Sequence, residues 1–446
     1  FGSSGWQGMH FTAVQKIGLA RWSPNGKLFA ATDRNRLLIR DSASLRLVQV
    51  YVCVDKVTRL EWSAASVLVL CEVARAGIVQ IWHVTESAWQ CRIDEGLAGL
   101  AFASFSPSAS HVFVTAEYQL HMSVWAVQGQ SPPLRIRFPK FAGRGLAFTE
   151  DQRWFALLRR LDCRDRVAVH TIAADFSKVA DFGVSGDFED VVWIQSGAKL
   201  SLLLWERPAS APRLVWYSLG GEMVGQVEHC GLLRSAILAP SARMLAVGCI
   251  DGQIHLVGTA AQKVLAKFEH NLPACIAVDD EVSVLRQSQE ASAYEHSNAA
   301  STKVLVEKSS AEACKVDSDG TPCIGVANML WSPDERYLAT QHEAMPSAVW
   351  IWDIGQLRLH TLLLHDTSVR SISWDPTLHN GPRLAVSTSG PQLFLWAAEG
   401  GAVALQAPLT MARLLWCSDG SKLLLQEGSR GCFASEAWSG LASAAF

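Results

Sequence analysis

One short pattern recurs along this chain, and it limits what the chain can fold into. It is clearest at residues 330–354, LWSPDERYLATQHEAMPSAVWIWDI: Trp-Ser-Pro-Asp, a short apolar strand, a polar turn, then Val-Trp-Ile-Trp-Asp. The aromatic or apolar residue before the turn returns at Trp22, Trp62, Phe105, Phe148, Trp193, Leu238, Trp331, Trp374 and Trp416. The steps between them are 40, 43, 43, 45, 45, 93, 43 and 42 residues. Pro holds φ at the corner, and Asp, Asn or Gly lets the chain turn tightly. Most units carry a further strand ending in an aromatic anchor, as in VQIWHV, MSVWAV and LFLWAA.

A period of about 40–45 residues is that of a WD-repeat blade, a sheet of four antiparallel strands. One such sheet cannot cover its own apolar faces, whereas blades set side by side bury both. Trp22, Trp62, Trp82, Trp125, Trp193, Trp331, Trp352, Trp374, Trp396 and Trp416 occupy the framework positions and are read as wedges between blades. An outer strand follows each of the first eight units, but none follows the ninth. The spare segment HFTAVQKI, residues 10–17, is expected to pair into the last blade. The sequence thus predicts an all-β fold: one nine-bladed WD-repeat propeller ring over 9–446, closed by its N-terminal strand, with residues 1–8 as a leader or disordered. The step of 93 residues contains a polar stretch, 271–322, with one tyrosine and no tryptophan, which reads as a loop insertion after blade six. VSVLRQ and TKVLVEK within it could each add a strand, so a tenth, degenerate blade stays open.

The chain has 446 residues, net charge −3 and a pI near 6.5, which gives no electrostatic drive toward nucleic acid. No apolar run approaches the roughly 18 residues a membrane span needs. Eleven cysteines, an odd number with no CxxC pair, suggest reduced thiols in the cytosol rather than a disulfide framework. Nucleotide, zinc-protease and nucleophile-elbow motifs are missing, so no enzyme, cofactor or metal is expected. DSDG at 317–320 lacks the later carboxylates of a calcium loop. His121, His170 and His255 lie on strand patterns and are read as structural, and Cys163 as an exposed turn residue. The segment 144–166 mixes arginines with aromatics, but Phe148 and Trp154 fall on the inward alternation and are not free to stack on bases.

QVYVCVDKVTRLEWSAAS (49–66), VQIW (79–82), WQCRIDEGLAGL (89–100) and SAVWIWDIGQLRL (347–359) resemble the family of WD repeat-containing protein eight, the WRAP family of centrosomal and spindle-pole proteins. Ile-Asp-Glu-Gly within CRIDEGLAGL is the most specific part, because a generic WD repeat does not carry it. The resemblance implies a cytoplasmic, cytoskeletal scaffold at a microtubule-organising centre: a centrosome, spindle pole or basal body. It also implies binding to a coiled-coil anchoring protein, links to kinesin-14 and γ-tubulin-containing assemblies, and a part in cilium assembly. The insertion departs from the family in being rich in Ala, Ser and Glu. Asp94 and Glu95, between blades two and three, are the surface candidates for a partner contact. Two other readings compete: a scaffold in translation initiation or another ribonucleoprotein, and a ubiquitin-ligase substrate receptor. Against the second, Trp352-Asp353 is followed by Ile354-Gly355 rather than an Arg two residues on.

Overall fold

The computed structural model describes residues 9–435, apart from 130–131, 173–175, 197–198, 207–212, 229–231, 271–274, 277–282, 288–293, 297–303, 306–324, 380, 400 and 411. Residues 1–8 and the DSDG turn lie outside the described residues. Nine antiparallel blades span 20–52, 59–94, 102–137, 146–183, 188–227, 233–269, 326–364, 369–406 and 413–435. This is the nine-bladed β-propeller class that the repeat predicts. By chain contacts it divides into two compact units. Ile17–His229 holds blades one to five, and Phe1–Lys16 with Cys230–Phe446 holds blades six to nine.

Within a blade, position sets composition. The middle strands Leu68–Val73 and Ile78–His83 are buried on both faces and read as apolar runs. The outer strand Gln90–Asp94 is covered on one face and alternates.

Five of the nine corners are built from the same side-chain bond. Ser23, Ser63, Ser106, Thr149 and Ser332 accept a backbone N–H from Leu28, Leu68, His111, Trp154 and Tyr337, at 2.9–3.1 Å. Four residues past the framework position the backbone turns left-handed, at Gly26, Ser66, Ala109, Gln152, Ala242, Glu335 and Gly420, with φ between 56° and 70°. Only two of the seven are glycine. Gly420 has a second reason to be one: a Cβ there would meet Thr377 Oγ1 at 2.5 Å and Asp375 Oδ1 at 2.6 Å.

The blades are joined by a repeated bond. Five of the six indoles that precede a corner donate their N–H to the carbonyl just before the matching position of the preceding blade. Trp62 donates to Arg21, Trp193 to Ala147, Trp331 to Ile237, Trp374 to Leu330 and Trp416 to Ser373, at 2.9–3.2 Å. These five rings are nearly buried, as are Trp22, Trp82, Trp352 and Trp396, while Trp125 is only partly so. Blades three and four carry Phe105 and Phe148 instead, which have no N–H to give. There Phe113, Phe148 and Phe155 pack edge to face or tilted, with centroids 5.1–6.2 Å apart. A cavity of about 240 Å³ lined by Phe102, Phe105, Met122 and Phe148 lies in the same place.

The N-terminal segment occupies the place expected of it. His10–Phe11 and Gln15–Lys16 pair with Arg430–Ser435, the last strand of blade nine. Between them Thr12 donates its N–H to Phe433 O at 2.9 Å and accepts the Phe433 N–H on Oγ1 at 3.0 Å. The insertion is not loop throughout. Ser283–Gln287, the VSVLRQ piece, pairs in parallel with Arg358–Leu364 and extends blade seven to six strands together with Tyr294–His296. Val284 and Leu285 are buried, which explains why this piece leaves the polar pattern around it. Val304–Leu305, from TKVLVEK, pairs with Cys275–Ile276. No tenth four-stranded sheet forms among the described residues.

Blades six and seven share a buried polar chain that the repeat pattern does not announce. Trp352 Nε1–H donates to Thr340 Oγ1 at 2.9 Å, and Thr340 Oγ1 lies 2.9 Å from His270 Nε2. His270 Nδ1 lies 2.9 Å from the Gly252 carbonyl, which can only accept, so Nδ1 carries the proton and Nε2 accepts from the threonine. Burial holds His270 and His365 down to about 3, below the ordinary 6.5.

Two predictions follow from this packing. Trp374→Phe removes a donor from the Leu330 carbonyl and should cost about 1 kcal/mol, against about 3–5 kcal/mol for Trp374→Ala, by urea denaturation. His270 and His365 refuse a proton that the unfolded chain takes. Their contribution is therefore complete above pH 6.5 and is lost as pH falls toward 3. Denaturation midpoints should fall across that window, and less steeply in His365→Gln.

Candidate functional site

In a four-stranded meander, two kinds of connection emerge at the same edge: the turn between the two middle strands, and the link from the outer strand to the next blade. On blades two to four this edge forms one continuous face. It begins in CRIDEGLAGL. The outer strand Gln90–Asp94 stops where Asp94 Oδ1 accepts the Gly96 N–H at 2.9 Å. A single 3-10 turn follows over Gly96–Ala98, with Gly96 and Gly99 both left-handed at φ 58° and 64°. Gly99 lies so close to the next blade that a Cβ there would sit 2.6 Å from the Glu117 Cδ.

Glu95 is not the surface residue its place in the sequence suggested. Its carboxylate is buried, accepts the Trp125 indole N–H at 2.7 Å and lies 3.2 Å from His121 Nε2. Two polar groups from one strand of blade three need an acceptor there, and Glu95 satisfies both. Asp94 does face solvent, where it pairs with Arg92 at 3.2 Å and caps the turn. With one acid anchoring the loop and the other shaping it, the chain lifts Leu97 out completely, at 109% relative exposure.

The neighbouring loops present the same chemistry. Tyr118, 85% exposed, and Leu120 lie between the middle strands of blade three. Phe138, in the link to blade four, donates its N–H to Leu120 O at 3.0 Å and accepts the Arg160 N–H at 3.0 Å. Leu161 is exposed at the end of a long hairpin, Trp154–Leu161 with Arg164–Thr171, beside the exposed Cys163. Leu97, Tyr118, Leu120, Phe138 and Leu161 therefore form an apolar ridge across three blades of one unit. Five non-glycine residues on this edge, Tyr118, Gln119, Phe138, Asp162 and Cys163, are left-handed, with φ between 50° and 59°. For rings such as Tyr118 and Phe138 that is an uncommon conformation, of the kind that collects at binding loops.

The ridge has a basic rim. Arg137 and Arg164 are exposed and form no ion pair among the described residues, while Arg160 is shared between Asp165 and Asp187 at 3.5 Å each. Lys140 beneath it is buried and bound to Asp165. His121, His170 and His255 lie on strands, where His170 meets the Phe176 carbonyl and His255 the Gln253 side chain, both at 3.1 Å. No group of three metal-ligating side chains occurs among the described residues. The sequence singled out this loop through its charges, Asp94 and Glu95, whereas the structure raises the apolar Leu97 from it. The missed signal was Leu97, an apolar residue between two glycines in a segment with no strand alternation.

No family model matches the sequence. The chain is 32% identical over 454 residues to WD repeat-containing protein WRAP73 of Mus musculus, covering 95% of each chain. Among solved structures it is similar to a eukaryotic initiation factor, with TM-score 0.56 and 12% identity over 89% of this chain and 90% of that one. It is also similar to the C-terminal WD40 domain of Sif2, with TM-score 0.53 and 11% identity over 96% and 98%. At such identities these two likenesses concern the fold alone.

Replacing Glu95 by Ala strands the Trp125 and His121 donors. It should cost about 1–3 kcal/mol in denaturant and raise amide exchange at Leu97 and Ala98. Leu97→Ala, at a fully exposed site, should change stability by less than about 0.5 kcal/mol.

Proposed function

The chain belongs to the family of WD repeat-containing protein WRAP73, and from that premise we propose that it is a non-enzymatic scaffold working at a microtubule-organising centre. As a WD-repeat propeller it is an interaction scaffold. The finer reading is that it binds a coiled-coil anchoring protein and helps hold microtubule minus ends at a centrosome, spindle pole or basal body. Kinesin-14 motors and γ-tubulin-containing assemblies are its further associates, and cilium assembly is a process it serves. Support for these finer points comes from the resemblance of residues 49–66, 79–82, 89–100 and 347–359 to the family of WD repeat-containing protein eight, which we take to be the same family.

The observation that carries the scaffold reading is the ridge of Leu97, Tyr118, Leu120, Phe138 and Leu161, raised into solvent by strained loops on a rigid sheet framework. Exposed apolar groups of this size, gathered on one face, are what a protein contact buries. The likeness to an initiation factor is confined to the fold and does not favour a role in translation.

Tagged full-length protein should collect at the organising centre through mitosis and co-purify with a coiled-coil protein. A diffuse signal, with no such partner recovered, would overturn this reading.

A further inference from the structure

We infer that the ridge on blades two to four receives an acidic amphipathic helix, whose apolar stripe covers Leu97, Tyr118, Leu120, Phe138 and Leu161 and whose carboxylates meet Arg137, Arg160 and Arg164. This rests on the scaffold reading above and gives its partner a chemistry and a place.

Three observations lead there. The first concerns the backbone. A strand docks by pairing along a run of free N–H and C=O groups, and these short, tightly turned loops offer no extended edge, with four of their amides already bonded internally. Ala98 N–H goes to Glu95 O, Gly99 N–H to Gly96 O, Leu120 N–H to Glu117 O and Phe138 N–H to Leu120 O. What remains to offer is side-chain surface, so the partner must arrive with its own backbone satisfied, which a helix does.

The second is charge. Residues 134–166 hold nine Arg and Lys against four Asp and Glu, in a chain whose net charge is −3. The inner members are used up: Lys140 by Asp165, and Arg159 and Arg166 by Asp181. Arg137 and Arg164 are not. The exposed acids of the ridge loops are Asp94, paired with Arg92, Glu117 and Asp162, while Asp187 is already taken by Lys140 and Arg160, so the unpaired cations Arg137 and Arg164 gather at the Phe138 and Leu161 end. The net excess faces outward and calls for acid.

The third is the form of the apolar groups. Leu97, Leu120 and Leu161 are aliphatic and offer nothing to a nucleobase, which argues for a protein rather than an RNA on the same basic rim. Left-handed backbone at Tyr118 and Phe138 restrains these two loop positions before binding, so less backbone freedom is lost when a partner covers them.

The test uses the full chain and three synthetic peptides of about 20 residues, a helix of about 30 Å. One carries Leu at helical spacing with Glu on the flanks, one has Lys for Glu, and one has Pro at its centre. Fluorescence anisotropy should show the acidic helix binding at least about tenfold more tightly than either other peptide, with affinity falling as salt rises. Leu97→Asp with Tyr118→Asp should weaken it by about tenfold or more. Arg137→Glu with Arg164→Glu should shift the preference to the lysine peptide. All four sites are exposed, and an unchanged thermal midpoint verifies the fold of each variant. The inference is overturned if the acidic helix does not bind, if it binds no better than the lysine peptide, if the Leu97 and Tyr118 changes leave its binding intact, or if poly-uridine RNA displaces it. None of these outcomes bears on where the tagged protein collects in cells, so the scaffold reading stands or falls separately.

Discussion

The structure depends on one contact repeated between neighbouring sheets. An indole lies across the seam between two blades, fills it with ring, and hands its single N–H to a main-chain carbonyl of the sheet before. Burying that much aromatic surface is worth several kcal/mol, but it would leave both the N–H and the carbonyl unsatisfied if they did not meet. Because they do, the bond sets how far one blade is turned against the next as well as how tightly it packs. At five joints the donor is at the framework position and the acceptor one residue before the matching position of the preceding blade, so a sequence repeat becomes a geometric repeat.

Where the indole is replaced the joint changes character. Phe105 and Phe148 keep the apolar fill but bring no donor, and a cavity lies beside them. Polar work at this end of the unit passes to side chains at the edge. Glu95 gathers Trp125 and His121 across the seam between blades two and three. Lys140, from the link between blades three and four, reaches Asp165 and the Phe188 carbonyl beyond it. At blades three and four, where phenylalanine takes the framework position, the connecting loops are thus held by the buried side chains of Glu95 and Lys140, and these are the loops that form the apolar ridge.

That combination explains how a surface can be both exposed and stiff. Leu97 touches almost nothing, yet its loop is held from below by a buried carboxylate and pressed against Glu117. Tyr118 and Phe138 are held in a backbone conformation that free chains avoid. A flexible loop would fold its apolar residues back onto the protein, whereas these loops have nowhere to fold.

Much of the fold was legible in the residues, and the reason is periodicity. A spacing near 43 residues, the Ser-Pro corner and the missing outer strand of unit nine together give blade number, strand order and the destination of residues 10–17, because each states a local need that only one arrangement meets. The position of the corners was legible too, while at five of them a hydroxyl next to the framework residue, which the Pro and Asp, Asn or Gly pattern did not mark, bonds the chain five residues on. The sequence by itself did not determine which loop residues face out. Asp94 and Glu95 are adjacent and alike in charge, but one strand end turns the first to solvent and the second onto Trp125 and His121, which are about 30 residues away. Nor did it show that VSVLRQ would lie parallel to a strand some 75 residues later, or that His270 would close a chain to Thr340 and Trp352. Burial, and the partners that make burial tolerable, come from segments distant in sequence, so only the tertiary structure could decide them.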